Sequence, residues 1–322
     1  MKALTFAQFG GPEVLEYKEI PEPIVNGDQI LIRTKAIGLN FADVYRRKGN
    51  YHLAGEPPYI LGYEGAGIVE SVPEHIKHIR IGDRIAFADV PFANAELVAV
   101  PVDRAIPLPE DISFEHGAGL LLQGMTAHYL VNDSYRVQAG DEVLIHAAAG
   151  GVGQLLIQLC KSKGAKVIGL TSSEVKKQVA LDAGADHIVL YSTDWVQEVL
   201  QWSQDKEGVR VVYDSVGSTL MDSFAAVKTK GTVVFYGMAG GDPAHVDPRM
   251  LMDTSKTLTG GDLWNHVTSL ANRIERAHAL FDALRAGSLK MDSVTTFALE
   301  DGAEAHRLLE SRQSTGKIVL LP

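Results

Sequence analysis

The clearest chemistry-bearing run in the chain is Ala147-Ala148-Ala149-Gly150-Gly151-Val152-Gly153. It follows the apolar stretch Val143-Leu144-Ile145 and opens a stretch of helical periodicity, the context that a dinucleotide-binding turn requires. There Gly150 lets the backbone approach a pyrophosphate, and Gly153 lets the helix lie close to the strand. The helix N-terminus offers N–H groups and the positive end of its dipole to phosphate. Ala148 stands where the usual pattern has its first glycine. An NAD site places Asp or Glu at the tip of the second strand, about 20 residues on. Here that strand ends Leu170-Thr171-Ser172-Ser173, and Lys176 and Lys177 follow in the next turn. Hydroxyls with a lysine suit a ribose 2′-phosphate through charge-assisted hydrogen bonds, so the pattern predicts NADPH over NADH. The alternative is a helix cap at Ser173 followed by a solvated basic face.

Other chemistries lack their residues. There is no Gly-x-Ser-x-Gly elbow, and Gly316-Lys317 is followed by Ile318, so no phosphate-binding P-loop forms. His75 and His78, three residues apart, do not by themselves complete a metal-ligand set and read as a solvated loop. Cys160 is the one cysteine and falls on the apolar stripe of a helix predicted over 154–163, where a core thiol is expected. One thiol can build neither an internal disulfide nor a Cys-rich zinc module, which points to a reduced, cytoplasmic protein.

The elements that position these residues follow from periodicity. Short strands are predicted over 14–20, 29–35, 67–72, 84–88 and 96–100, punctuated by Pro and Gly, as in a partly open barrel or sandwich. A helix capped by Ser113 runs towards Gly124. Strands over 143–145, 167–170, 188–191, 209–214 and 232–236 then alternate with helices, the rhythm of a doubly wound parallel sheet. A helix over 269–286, a strand over 293–298, a helix over 301–311 and a strand over 317–321 close the chain. Their periodicity leaves open whether they extend the second sheet or return to the first. The 322 residues suffice for about two domains. Against 30 Lys and Arg stand 40 Asp and Glu, a net charge of -10, which gives no general attraction for nucleic acid or anionic membrane. No run reaches the length of a membrane span, and no signal peptide is read at the start.

With the fingerprint in place, further segments acquire meaning. They are Gly38-Leu39-Asn40-Phe41-Ala42-Asp43-Val44-Tyr45, Gly49-Asn50-Tyr51, Gly62-Tyr63-Glu64-Gly65-Ala66-Gly67, Gly82-Asp83-Arg84 and Gln123-Gly124-Met125-Thr126-Ala127, followed by Val212-Tyr213-Asp214-Ser215-Val216-Gly217 and Glu310-Ser311-Arg312. With these, essentially the whole chain resembles the quinone oxidoreductase (zeta-crystallin-like) branch of the zinc-independent medium-chain dehydrogenases/reductases. The resemblance implies an α/β fold with a GroES-like β-rich catalytic domain over 1–123 and 263–322. A Rossmann doubly wound parallel sheet over 124–262 would bind NADPH. It also implies a homodimer joined through the Rossmann sheets. Zinc-dependent relatives carry a Cys near the Asn40 segment, a His at the position of Tyr63 and a four-Cys lobe; this chain has none of them, and no metal is expected.

By the same resemblance, Asn40, Tyr45, Tyr51 and Tyr63 surround the nicotinamide and the substrate in a cleft between the domains, and a tyrosine could donate a hydrogen bond or a proton. Thr126 matches the nicotinamide-ribose contact; Gly150, Gly151 and Val152 match the pyrophosphate loop. Ser172 and Lys176 match the adenosine-phosphate site, and Tyr191 the adenine side. Phe235, Tyr236, Gly237 and Met238 match the loop beneath the nicotinamide, and Lys317 a basic group near the cofactor. Where some bacterial relatives carry Arg-Pro, this chain reads Gly261-Asp262-Leu263-Trp264-Asn265. Trp264 is either a cover for a flat acceptor or a core tryptophan. Without a Lewis acid, quinones and conjugated enones are the easier hydride acceptors, because the added charge delocalises. The expected function is NADPH-dependent quinone reduction. The alternatives are a reductase of α,β-unsaturated carbonyls, and a structural or AU-rich RNA-binding protein, the last opposed by the acidic charge.

Overall fold

Short strands, several of them buried along most of their length, build the start of the chain as β-structure. The computed structural model describes residues 1–311 and 313–322; Arg312, in the closing signature, lies outside the described residues. The chain divides into two units. Unit 1 comprises Met1–Leu122, Val267–Asp282 and Met291–Pro322, and unit 2 comprises Gln123–His266 and Ala283–Lys290.

In unit 1, β1 (Lys2–Phe6) lies antiparallel to β2 (Glu16–Glu19). The strand predicted over 14–20 is shorter than expected because a 3₁₀ turn takes Pro12–Val14, with Pro at its first position. The central strand, β3 (Gln29–Leu39), runs beyond the predicted 29–35, because Ala36, Ile37 and Leu39 continue the buried set of Ile30 and Ile32. Helix α1 (Phe41–Arg47), β4 (Tyr59–Ile60), β5 (Glu64–Ser71), β6 (Arg84–Ala88), β7 (Leu97–Pro101) and β8 (Ile106–Pro107) follow. β3 pairs antiparallel with β5 and, along its first half, with β7; β6 and β8 extend the sheet from β5.

Helix α2 (Phe114–Tyr129) passes through Gly124 instead of stopping there, since Met125, Ala127 and Tyr129 beyond it are buried and offset the cost of one helical glycine. Unit 2 then alternates: β9 (Glu142–Ile145), α3 (Gly151–Ser162), β10 (Lys166–Thr171), α4 (Glu174–Asp182), β11 (His187–Leu190), α5 (Trp195–Trp202), β12 (Val209–Asp214), α6 (Leu220–Ala226), β13 (Val227–Phe235), α7 (Pro248–Thr254) and β14 (Thr257–Gly260). The sheet is parallel throughout, in the order β11-β10-β9-β12-β13-β14. That order reverses between β9 and β12, the switch point where such sheets take ligands at their carboxyl ends.

After α8 (Leu270–Arg285) come β15 (Val294–Ala298), α9 (Gly302–Glu310) and β16 (Lys317–Leu321). β16 pairs antiparallel with the end of β3, Ile318 opposite Leu39, and β15 lies parallel to β16. The ending therefore belongs to the first sheet, the choice that periodicity left open. Leu4, Phe6, Ile30, Ile32, Phe87 and Leu320 lie in the core of unit 1, and Leu144, Ile168, Leu170, Val212 and Val233 in that of unit 2. Each such side chain contributes about 1.5–3 kcal/mol by leaving water.

Candidate active and cofactor sites

The predicted acceptor-side residues all belong to unit 1. Asn40 follows β3 and caps α1, whose first turn carries Asp43; the Asn40 N–H donates to Asp43 Oδ2 at 3.0 Å. Tyr45 projects from α1 and stacks obliquely on Phe41, ring centres 5.8 Å apart. Tyr63, just before β5, is buried, and its hydroxyl accepts the Ala54 N–H at 3.2 Å. Arg46 links the tyrosines. Its guanidinium lies 3.6 Å from the Tyr63 ring centre and 4.9 Å from that of Tyr51, while Asp43 Oδ1 stands 3.5 Å from its Nη1. Cation–π contact of this kind orders both rings where water is excluded.

Beneath them is a buried ion pair. The Lys317 ammonium, at the start of β16, donates to Glu64 Oε1 at 2.5 Å and to Asn40 Oδ1 at 2.9 Å. The Leu122 N–H donates to Glu64 Oε2 at 2.8 Å. Burial pushes the Glu64 carboxyl up, against the opposing pull of Lys317. The group forms because β3, β5 and β16 meet there, and because residue 38 is glycine: a Cβ on Gly38 would fall 1.9 Å from Glu64 Oε1. Lys317 thus stands on Asn40 within unit 1.

In unit 2 the glycine run turns out of β9 at the switch point. Ala147 is left-handed (φ 48°), Gly150 N–H closes the turn onto Ala147 C=O at 2.8 Å, and α3 starts at Gly151, three residues earlier than predicted. A Cβ on Gly153 would meet the Ala147 carbonyl at 2.4 Å, and one on Gly151 would meet Gln123 Oε1 at 2.0 Å. Gly150 has no side chain with which to cap α3, so Gly151 and Val152 stand in a first turn whose N–H groups suit a phosphate. A backbone cradle that side chains would fill fits a dinucleotide pyrophosphate.

Among the described residues no carboxylate stands at the tip of β10, where Thr171 is followed by exposed Ser172 and by Ser173, whose hydroxyl accepts the Lys176 N–H to cap α4. Lys176 lies in that first turn. Ser173 is therefore a cap, as the alternative reading had it, and Ser172 and Lys176 flank it. The segment Tyr236-Gly237-Met238 leaves β13 bonded to the carboxyl end of β12: Tyr236 N–H to Asp214 C=O at 2.9 Å and Ala239 N–H to Ser215 C=O at 3.0 Å. Half-buried Thr126 is on α2. The Tyr191 hydroxyl stands against the Ala147 N–H and His146. In the departing segment Asp262 caps a 3₁₀ turn, Leu263–Asn265, through the Trp264 N–H, and Trp264 is half-buried. Cys160 is fully buried, its thiol pushed up to about 12. Among the described residues no group of three or more His, Cys, Asp or Glu is gathered as a metal set. No helix there is long and apolar enough to cross a membrane.

Four residues of these sites had no role in the sequence reading: Glu64, Arg46, His146 and Asp214. The signal for Glu64 was present, a carboxylate opening the small, apolar run Gly65-Ala66-Gly67-Ile68-Val69; nothing local to Arg46 marks it.

The sequence matches the alcohol dehydrogenase GroES-like domain over residues 26–137 and the zinc-binding dehydrogenase domain over residues 151–281. It is 37% identical to a 2-haloacrylate reductase of Burkholderia sp over 97% of this chain and 96% of that one. It is 37% identical to a quinone oxidoreductase of Salmonella typhimurium, 99% of each chain being covered. The fold superimposes on Escherichia coli quinone oxidoreductase complexed with NADPH with a TM-score of 0.96, at 36% identity over 100% of both chains.

Proposed function

The chain belongs to the quinone oxidoreductase family of medium-chain dehydrogenases/reductases, and we propose that it reduces quinones with NADPH, without zinc. The observation that carries this is the glycine cradle at the β9–β12 switch point, together with a β10 tip bearing hydroxyls and Lys176 in place of a carboxylate. The similar Escherichia coli protein complexed with NADPH supports the same cofactor.

When bound, NADPH supplies a hydride to the acceptor. In this reading the chain's residues bind and orient. Gly150, Gly151 and Val152 receive the pyrophosphate, and Ser172 and Lys176 the 2′-phosphate. Thr126, Tyr236, Gly237 and Met238 shape the nicotinamide end, with Tyr191 on the adenine side. Asn40 orients the reacting pair, and Lys317 holds Asn40 in one rotamer. Tyr45 and Tyr51 present ring faces and phenol hydroxyls to a planar acceptor, Tyr63 backs them through Arg46, and a hydroxyl donates a proton or a hydrogen bond to the oxygen that gains charge. Positioning carries the rate, because a quinone delocalises the added charge by itself.

The 2-haloacrylate reductase similarity favours one second reading, reduction of a conjugated carbonyl by the same hydride chemistry. NADPH oxidation with 9,10-phenanthrenequinone, with 2-cyclohexenone and with 2-chloroacrylate separates the two. Faster turnover with the quinone is expected; faster turnover with either conjugated carbonyl moves the function to the second reading. The same proposal includes a cytoplasmic homodimer, supported by the single buried Cys160 and by β14, which ends the parallel sheet with one partner strand.

A further inference from the structure

Behind the glycine cradle lies a string of polar groups, of which the proposed function uses only Tyr191. His146 follows β9 directly, and its backbone N–H donates to the Tyr213 carbonyl at 3.0 Å. The ring is fully buried, edge-on to Trp195. Its Nδ1 is 3.0 Å from the Tyr191 hydroxyl and its Nε2 is 3.0 Å from Ser223 Oγ. Ser223 donates to Asp214 Oδ2 at 2.7 Å. Asp214, at the end of β12, also accepts the Val216 and Gly217 N–H groups at 2.8 and 3.1 Å and the Thr219 hydroxyl at 2.9 Å. At the other end, the Tyr191 hydroxyl accepts the Ala147 N–H at 3.1 Å.

Donor arithmetic gives the string a direction. A hydroxyl has one hydrogen, and Ser223 gives its own to a carboxylate that can only accept. Ser223 Oγ therefore accepts from His146, whose proton sits on Nε2. Burial lowers the basicity of His146, so its ring is neutral and Nδ1 is an acceptor. Tyr191 then donates to Nδ1 while accepting from Ala147. The whole reads Ala147 N–H to Tyr191 O–H to His146 Nδ1, then His146 Nε2–H to Ser223 O–H to Asp214. Although Ser, His and Asp occur together, serine lies between the other two and gives its hydrogen to the acid, so no nucleophile is activated.

We propose that His146, Tyr191 and Ser223 are positioning residues that hold the left-handed turn at Ala147, and with it the pyrophosphate cradle, in register with the Asp214 end of β12. The string joins the loop that leaves β9, which the cofactor reading places at NADPH, to the end of the neighbouring strand β12 at the switch point; the inference rests on that reading. Left-handed backbone at a residue other than glycine costs about 1 kcal/mol or more and needs surroundings that hold it. The Tyr191 hydroxyl on the Ala147 N–H is such a hold.

The test is a double-mutant cycle on the full-length protein, read as NADPH affinity by fluorescence titration and as KM for NADPH against kcat. One lost neutral hydrogen bond corresponds to roughly three- to tenfold in affinity. Tyr191→Phe is expected to raise KM for NADPH by about that factor with kcat nearly unchanged, and Ser223→Ala, which lies behind His146, to act in the same direction. The double variant should bind no more weakly than the worse single one, since both cut one string. Wild-type NADPH affinity in Ser223→Ala, or effects that multiply in the double variant, overturns the proposal and leaves Tyr191 as a direct contact. Nitrogen-15 spectra of the imidazole supply an independent reading, including the case where Ser223→Ala does not fold. His146 protonated on Nε2 is expected in the wild type, and protonation on Nδ1 overturns the string. Absence of NADPH binding by the wild type would instead overturn the cofactor reading, with the tautomer still measurable.

Discussion

At the scale of single residues, two lysines carry distinct physics. Lys317 is buried against Glu64, and removing one partner of such a pair leaves the other charge uncompensated at a cost of about 3–5 kcal/mol. Lys317→Met is therefore expected to lower stability by that order in urea unfolding, and adding Glu64→Gln to recover a substantial part. Recovery is the discriminating result, because simple loss of lysine packing would not be repaired by a change at Glu64. Lys176 is half-exposed beside the β10 tip. Lys176→Ala is expected to weaken NADPH by roughly 10–100-fold, the worth of one charge-assisted bond, and NADH hardly at all. Titration with both nucleotides decides it; equal weakening removes the 2′-phosphate assignment. Of these two residues, Lys176 was legible from its place after a strand. Lys317 was read only as a basic group near the cofactor, because its partner Glu64 lies far off in sequence.

At the scale of elements, α3 can start where it does only because Gly153 lets it approach the turn. Gly153→Val puts a side chain where Cβ alone meets the Ala147 carbonyl at 2.4 Å. Loss of NADPH binding and a lower melting temperature are expected, measurable by titration and by circular dichroism. Helix α9 is tied to α1 by another buried histidine. Arg47 Nη1 stands 2.9 Å from His306 Nδ1, and Arg47 and Lys48 both pair with Glu310. Burial, helped by the Arg47 charge, pushes His306 down to about 3. Unfolded chain takes up this proton below about pH 6.5 and the folded chain does not, so folding stability falls as pH drops from 6.5 towards 3. The full effect is of the order of 4–5 kcal/mol at 1.36 kcal/mol per pH unit. In His306→Asn, which keeps an acceptor for Arg47, urea unfolding across that range should show a correspondingly shallower decline. A slope equal to wild type would show that other groups carry the acid sensitivity. The strand–helix alternation of unit 2 was legible because its strands are short, largely apolar runs while its helices bury a periodic stripe. Element ends were less so: β3 and α2 outrun their predicted limits, since burial against other parts of the chain overrides local terminators such as Gly124.

At the scale of the whole molecule, a net charge of -10 sets association with polyanions aside as a general tendency. The edge strand β14 remains, with Met221 and Met252 exposed on helices α6 and α7 of the same unit. Open sheet edges invite pairing. Sedimentation equilibrium is expected to give twice the chain mass of 34.8 kDa; a monomer across micromolar concentrations would remove the proposed dimer.

The sequence by itself determined what depends on neighbours along the chain. The glycine turn, the hydroxyls and lysine after β10, the alternating strands of unit 2 and the single cysteine are all statements about spacing, and a spacing of a few residues maps directly onto one turn, strand or helix. Tertiary structure decided what depends on residues distant in sequence. It brought β16 back to β3, and so Lys317 to Asn40 and Glu64, across more than 250 residues. It also set Tyr191, Ser223 and Asp214 around His146. A buried charge or hydroxyl is tolerable only where its partner arrives, and which partner arrives is settled by strand order, a property that local periodicity does not encode.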